Sequence, residues 1–231
     1  VKIAGLNNIE VIHSDIGELN LPEKSVDGIL SIEAISHYRN YKSFLNMASK
    51  VLRNDGFLVI RDGNNGASPR IRKMTYKIWD MYENNPNAIS ALGHSKGEGC
   101  YLDMRKNIIK EKFPDLNQSQ IDEFAKYTFA YSKEKIIKVV DEFLCENFSS
   151  KSEYSYGQGC PLDPETDMYM EYLLHPKKLK NEMKDYGFKS IIKSNGPARR
   201  KLRLLRYFWE LFSPITIYAP RGFQLIATKK Y

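Results

Sequence analysis

The fold is decided by residues 9–64, a stretch that contains three short apolar runs: IEVIHSD (9–15), VDGILSI (26–32) and FLVIRD (57–62). The last two flank YKSFLNMASKVLRNDG (41–56), in which apolar residues recur at helical spacing before the turn-forming Asn54-Asp55-Gly56. Strands and helices that alternate at this spacing predict an α/β fold with a parallel sheet.

Such a sheet binds its ligands outside the carboxyl ends of its strands. Three groups of polar residues fall at such ends in this sequence: Asp15, Ser31 to Glu33, and Asp62 to Asn64. We therefore expect a binding or catalytic site at this edge.

Composition sets broad limits on the class of protein. The 231 residues suffice for one large domain, or for one domain with a big insertion. A net charge of +7 is a mild bias towards anionic partners and does not by itself predict nucleic-acid binding. No apolar run approaches the roughly 18 to 20 residues that cross a bilayer.

Cysteine usage favours a reducing compartment. The three cysteines (Cys100, Cys145 and Cys160) form no C-x-x-C pair and no metal-ligand spacing, so we predict free thiols and no metal site. The absence of a charged and then apolar leader predicts a cytoplasmic location. The chain starts at Val1, from which we expect a partial chain.

The strand rhythm stops after residue 65 and returns near residue 187. Between them the pattern predicts helices, separated by prolines, at 71–82, 104–112, 118–127 and 133–147. Further strands are predicted at 188–193 and 223–228. We thus predict a core of residues 1–65 and 187–231, and a helical insertion of residues 66–186.

A basic amphipathic helix is predicted at 198–212. It has three interpretations: a helix packed over the sheet, a helix that contacts an anionic membrane surface, or a helix that binds a phosphate-bearing acceptor. Its aromatic residues cluster at one end, which argues against nucleic-acid stacking.

The run IEVIHSDIGELNLPEKSVDGILSIEAISHY resembles the middle of a class I S-adenosylmethionine-dependent methyltransferase. The run SFLNMASKVLRNDGFLVIRD resembles the same family's helix, V-L-x-x-G-G turn and strand, and the closing GFQLIATKK resembles its last antiparallel strand pair. The resemblance covers roughly 100 residues at the two ends. It implies a Rossmann-like sheet in which strands 3 to 7 of the family order 3-2-1-4-5-7-6 are present.

The resemblance also implies roles for single residues. Asp15 would accept a hydrogen bond from the adenine amino group and Ile16 would lie beside the ring. The alternative role of Asp15 is a solvated turn or helix-cap residue. Ser31 would lie against the methionine part of the cofactor, and Ile32 and Glu33 would follow it into the cofactor site. Glu33 is either a substrate or cofactor contact or an acid at a helix N-terminus.

Acceptor chemistry is assigned to the start of the next helix. His37 is the candidate general base, with simple hydrogen bonding as its alternative role, and Tyr38 is a candidate acceptor contact. The implied function is methyl transfer from S-adenosylmethionine to a small-molecule or glycan- or lipid-linked acceptor, with the insertion as a lid over that acceptor.

The sequence also departs from the family. The Gly-rich loop and the acidic residue for the ribose hydroxyls are not found at their expected places. This leaves open a non-catalytic, methyltransferase-like binding module. A nicotinamide-dependent dehydrogenase, which shares the doubly wound sheet, is disfavoured because its own fingerprint is missing as well.

Overall fold

The computed structural model describes residues 8–16, 19–38, 40–87, 99–146, 159–167, 170–194, 211–218 and 222–230. The elements of these residues are, in chain order, β1 (Val26–Ile32), α1 (Tyr41–Val51), β2 (Leu52–Asp62), α2 (Pro69–Asn84), α3 (Tyr101–Lys112), α4 (Gln118–Tyr127), α5 (Lys133–Glu146), α6 (Pro176–Asp185), β3 (Phe188–Ser194), α7 (Ser213–Thr216) and β4 (Phe223–Lys229). The predicted basic helix at 198–212 lies almost wholly outside the described residues.

The four described strands form one mixed sheet in the order β1-β2-β4-β3. β1 and β2 are parallel, and β4 runs antiparallel to both β2 and β3. This order and these directions match strands 4-5-7-6 of the family order. The predicted α/β, Rossmann-like fold is confirmed.

The predicted strand at Glu10–Ser14 is wrong. Residues 9–15 adopt no strand, and their side chains are exposed. A strand needs a neighbour for its backbone N–H and C=O groups, and this segment joins none of the four described strands. The apolar character of the segment is therefore not sufficient for it to form a strand. The four strands observed correspond to strands 4 to 7 of the family order.

One face of the sheet is covered by α1 and α6. Leu58 and Ile60 of β2 pack in a single core with Phe44 of α1 and with Leu179 and Met183 of α6. α1 begins cleanly because the Asn40 side chain accepts hydrogen bonds from two backbone N–H groups of the first turn. The helix thereby holds the loop after β1 in place.

The opposite face of the sheet is open in the described residues. Four apolar side chains are exposed there: Leu30 (65%), Ile32 (55%), Phe57 (45%) and Ile191 (52%). Strand alternation explains the split, since Ser31 points to the covered side and Ile32 to the open side.

The helices α3, α4 and α5 pack around a second core, whose buried residues include Ile109, Ile121 and Ile136. α2 packs against α3 through the aromatic rings of Tyr82 and Tyr101. By contrast α6, in the predicted insertion, packs on the sheet. The exact division at residues 66 and 186 stays a prediction.

Candidate active site at the carboxyl ends of β1 and β2

The parallel strands β1 and β2 bring their carboxyl ends to one edge of the sheet, with Ile32 paired to Arg61. The loop after β1 contains a short 3₁₀ turn (Ile35–His37), and the loop after β2 leads to α2. These two loops carry most of the candidate residues. The edge is the place where a parallel sheet binds its ligands.

Glu33 joins the two strand ends. Its backbone N–H donates to the Arg61 carbonyl at 2.8 Å, and its carboxylate Oε2 accepts from the Gly63 N–H at 2.7 Å. Its φ of +49° is unusual for a non-glycine residue, and such backbone strain concentrates at functional sites. A Cβ on Gly63 would lie 3.0 Å from the same oxygen, so glycine leaves room for this contact.

Asp62 is the buried anchor of this edge, at 1% exposure. Its two carboxylate oxygens accept backbone hydrogen bonds, Oδ2 from Ser36 at 3.2 Å and Oδ1 from Asn64 at 2.8 Å. A buried carboxylate needs such partners, because an unpaired buried charge is costly. The pair of bonds fixes the loop after β1 against the loop after β2.

A distant segment completes the cluster. The Leu174 N–H donates to Asn64 O at 3.0 Å, the Gly66 N–H donates to Leu174 O at 2.9 Å, and the Tyr172 N–H donates to Ser36 O at 2.8 Å. These backbone bonds tie residues 172–174 to both loops. They carry Glu171 to the strand ends.

Glu171 links the two loops through its carboxylate. Its Oε1 lies 3.3 Å from Nε2 of His37, and its Oε2 accepts from the Asn64 side-chain amide at 2.7 Å. The His37 and Glu171 side chains are 41% and 48% exposed, so a ligand can reach both. The arrangement is a histidine oriented by a carboxylate, which is a recurrent device of general-base catalysis.

Ser31 and Tyr38 lie at the same edge. The Ser31 side chain is buried, and its Oγ is 3.4 Å from the Tyr38 hydroxyl. The Tyr38 ring packs on Phe44 of α1, with the ring centroids 5.1 Å apart. The two hydroxyls thus contact each other at the carboxyl end of β1, where Tyr38 also packs against the core of the sheet.

The remaining predicted site residues lie apart from these contacts. Asp15 is exposed and Ile16 is half-buried against the core of the sheet, both in a segment without secondary structure. Ile32 is exposed on the open face of the sheet. The contacts above pair Ser31 with Tyr38, Glu33 with Gly63, and His37 with Glu171. All three pairs lie at the carboxyl ends of β1 and β2.

Sequence reasoning missed Glu171 as a site residue and left Asp62 and Asn64 without roles. The position of Asp62 and Asn64 after a strand was the available signal. Glu171 had none, because it lies more than a hundred residues along the chain from either loop. The Glu171 charge also acts on α2. The pKa of the Tyr82 hydroxyl there is raised, mainly by burial and secondly by the negative charge of Glu171.

In the ranges that the structure describes, no group of three His, Cys, Asp or Glu side chains is placed to hold a metal ion. The helices of the same ranges include none with both the length and the apolar character needed to cross a membrane.

Comparison with known proteins agrees with the resemblance. Residues 1–60 match the family model described as a methyltransferase domain. No curated protein matches the chain.

Solved structures with similar folds include an S-adenosylmethionine-dependent methyltransferase from Archaeoglobus fulgidus, at 12% identity and a TM-score of 0.40, with 96% of this chain and 68% of that one covered. Another is an S-adenosylmethionine-dependent methyltransferase from Methanosarcina mazei, at 11% identity and a TM-score of 0.37, with coverage of 94% and 65%. A third is a Haloferax volcanii complex between the Trm112 methyltransferase activator and a methyltransferase, at 11% identity and a TM-score of 0.37, with coverage of 94% and 60%. The chain thus spans about two thirds of the length of these proteins, and the likenesses are distant.

The family match carries the assignment, and the sheet order agrees with it. The predicted family, enzyme class and cofactor, S-adenosylmethionine, are confirmed at the level of the family. Residues 1–60 of this chain are thus similar to a methyltransferase domain.

Proposed function

We propose that this chain transfers a methyl group from S-adenosylmethionine to a hydroxyl or amine of a small-molecule or glycan- or lipid-linked acceptor. The observation that carries the proposal is the His37–Glu171–Asn64 chain at the carboxyl edge of β1 and β2. It provides a base at the edge that binds ligands in this type of sheet.

The residues present fit one end of the cofactor. Glu33 is an exposed carboxylate at the strand end, suited to an ammonium group. Ser31, two residues earlier on β1, offers a buried hydroxyl paired with that of Tyr38. Asp15 and Ile16, proposed for the adenine end, lie in a segment without secondary structure. We infer that Glu33 and Ser31 hold the methionine end, and that the adenine end requires ordering of residues 9–16.

The cofactor supplies an electrophilic methyl group on a sulfonium, so the protein mainly has to align the acceptor and remove its proton. We propose that Nε2–H of His37 donates to Glu171, which leaves the lone pair on Nδ1 to accept that proton. The acceptor atom forms its new bond to carbon as the carbon–sulfur bond breaks. Glu171 then stabilises the imidazolium.

We further propose that the helical insertion of residues 66–186 serves as the acceptor-binding lid. Glu171 supports this, because a residue of the insertion lies within 3.3 Å of the candidate base. The three free cysteines support the proposed cytoplasmic location, since free thiols are typical of reducing compartments.

The alternative is a binding module without catalysis. It is favoured by the exposed segment without secondary structure that carries Asp15, because a site with only one end built on the sheet would bind the cofactor weakly. The two proposals make different predictions for the same experiment.

The experiment combines binding with turnover. Calorimetric titration of S-adenosylmethionine and its demethylated product is made into the wild type, Asp15→Ala and Glu33→Gln. If the cofactor roles are right, each variant weakens binding by roughly tenfold, about 1.4 kcal/mol. Absence of binding by the wild type would favour the non-catalytic module.

Turnover is then measured as methyl incorporation into pools of small molecules and of lipid-linked glycans. His37→Gln should lower the rate by roughly 100- to 10,000-fold while cofactor affinity stays unchanged. The matched control is Lys110→Gln, an exposed residue of α3 that takes no part in the site contacts. Equal rates for both variants would refute the role of His37.

A further inference from the structure

The helical part of the chain contains a pocket of about 150 Å³ along the C-terminal half of α2. Its wall combines side chains of α2 with the turn after α4 and with residues 159–161. The lining residues are Tyr76, Trp79, Asp80, Glu83, Asn84, Phe129, Gly159 and Pro161, all of which the structure describes. The roles proposed for His37, Glu33 and Ser31 leave this pocket without an occupant.

Three of the lining side chains are aromatic. The rings of Tyr76 and Trp79 lie 5.4 Å apart at an angle of 54°, and the buried Phe129 contributes a third ring. Tyr76 is 53% exposed, so packing in the helical core does not account for it. The face of an aromatic ring attracts a cation, and the attraction grows when the cation leaves water.

The charge beside these rings is negative. Asp80 is exposed, accepts a hydrogen bond from the Asn84 amide at 2.8 Å, and forms no salt bridge within the described part of the chain. Glu83, by contrast, is already neutralised by Arg105. The last turn of α2 contains no basic residue, so the helix itself does not offset the partial negative charge at its C-terminus.

We propose that this pocket binds the ammonium group of a small organic amine. Asp80 is its counter-ion, and the rings of Tyr76, Trp79 and Phe129 contact the carbon atoms around the nitrogen. An anionic ligand would find no cation among the lining residues. A neutral sugar could stack on the rings, but it would leave the Asp80 carboxylate without a counter-charge.

The wall of the pocket is tied to the candidate active site. The Glu171 N–H donates to Cys160 Sγ at 3.4 Å, and the Met170 N–H donates at 3.1 Å to the carbonyl of Pro161, which lines the pocket. Glu171 in turn contacts His37. The acceptor of the methyl group would then be a small molecule with an ammonium group at one end. This last step rests on the proposed function, whereas ammonium binding does not.

The first test is a fluorescence titration without S-adenosylmethionine. The probes are choline and its neutral analogue, in which a carbon atom replaces the nitrogen, both at constant ionic strength. A Trp209→Phe background leaves Trp79 as the reporter. We expect a saturable change with choline and at least about tenfold weaker binding of the neutral analogue. Because no methyl transfer is measured, failure of the proposed function leaves this result unaffected.

Variants at two exposed positions assign the binding to this pocket. Asp80→Asn and Tyr76→Leu should each weaken choline binding by about two- to fivefold, because one removes the counter-ion and the other a ring. Asp80→Asn should leave the affinity for the neutral analogue unchanged. The matched control is Asp115→Asn, an exposed residue between α3 and α4 with the same charge change, which should bind choline like the wild type.

A second test addresses the acceptor. Methyl incorporation into a pool of small molecules is followed by cation exchange, which should retain the labelled products. Asp80→Asn should lower incorporation at low concentrations of the pool but not at saturating ones. Labelled products that are all neutral would overturn the acceptor step. Absence of any incorporation would overturn the proposed function and this step with it, but not the ammonium site.

Three outcomes would overturn the ammonium site itself. The first is equal affinity for choline and for its neutral analogue. The second is equal weakening of choline binding by Asp80→Asn and Asp115→Asn, or by neither. The third is a saturable response to glucose in a chain that does not respond to choline, which would assign the rings to a neutral sugar.

Discussion

Replacement of Arg105 by methionine tests how the helical part of the chain is held together. Arg105 is fully buried in α3, and Glu83 of α2 is 5% exposed. The guanidinium pairs with the Glu83 carboxylate through two nitrogens, with Nη1 at 3.2 Å from Oε2, and its Nε donates to the Ala125 carbonyl at 2.8 Å. One side chain thus connects α2, α3 and α4.

Loss of one partner leaves the other as an uncompensated buried charge, which typically costs about 3 to 5 kcal/mol. In a chain of this size that corresponds to a fall in melting temperature of about 6 to 20 °C. The double variant Glu83→Leu with Arg105→Met removes both charges. It should recover most of the loss, because only the Ala125 carbonyl then lacks its donor, at about 1 to 3 kcal/mol.

The assay is urea and thermal unfolding of the wild type, both single variants and the double variant. Helix content reports on the whole chain. Tryptophan fluorescence, measured in a Trp209→Phe background, reports through Trp79 on α2, the helix concerned. Lys106→Met is the matched control on the same helix, because Lys106 pairs with Asp122 at a more exposed position. It should shift the melting temperature by less than about 3 °C.

The reasoning would be refuted if Arg105→Met were as stable as Lys106→Met. It would also be refuted if the double variant were less stable than both single variants, because the charges would then stabilise the fold independently of each other.

Three further predictions concern single positions. Asp62→Asn should destabilise the fold by about 1 to 3 kcal/mol in urea unfolding. The carboxylate accepts a backbone N–H at each of its two oxygens, whereas an amide has only one oxygen and would turn its NH₂ group, a donor, towards the other N–H. Gly56→Ala should lower the free energy of unfolding by about 1 to 3 kcal/mol, because its Cβ would lie 2.8 Å from a backbone carbonyl oxygen. Gly28→Ala should cost less, because its Cβ would meet only the exposed Phe57 ring, which can move. Equal losses of stability would contradict this. With a disulfide reagent at pH 8, Cys145 should react at least about 100-fold faster than Cys160, because burial raises the pKa of the Cys160 thiol to about 12; equal rates would contradict the burial.

The elements with a strong periodic pattern were predicted within a few residues. The strand at 26–32 and the helix at 118–127 have the predicted bounds, and the other described helices of the insertion differ by three residues or fewer at most ends. Turn chemistry was less reliable. Asn54-Asp55-Gly56 was predicted to lie outside the strand, but it forms a bulge within β2, with Asp55 at a φ of +64°.

Part of the candidate site could also be predicted. Ser31 lies near the end of one strand and Glu33, His37 and Tyr38 follow it, and the rule that ligands bind at carboxyl ends of parallel strands predicts them without a structure. The rule does not reach Asp15 in this structure, because residues 9–15 form no strand. Pairing is a property of two segments, and one segment's sequence does not contain it.

The sequence by itself determined the α/β class, the periodic helices, the family resemblance and the strand-end residues, because each depends on local spacing or on a contiguous motif. Only the tertiary structure decided that Glu171 meets His37, that Glu83 pairs with Arg105 and that residues 9–15 stand outside the sheet. These depend on which distant segments the backbone brings within hydrogen-bonding distance. The free energy of such contacts comes from shared burial and paired charge, which no single segment carries.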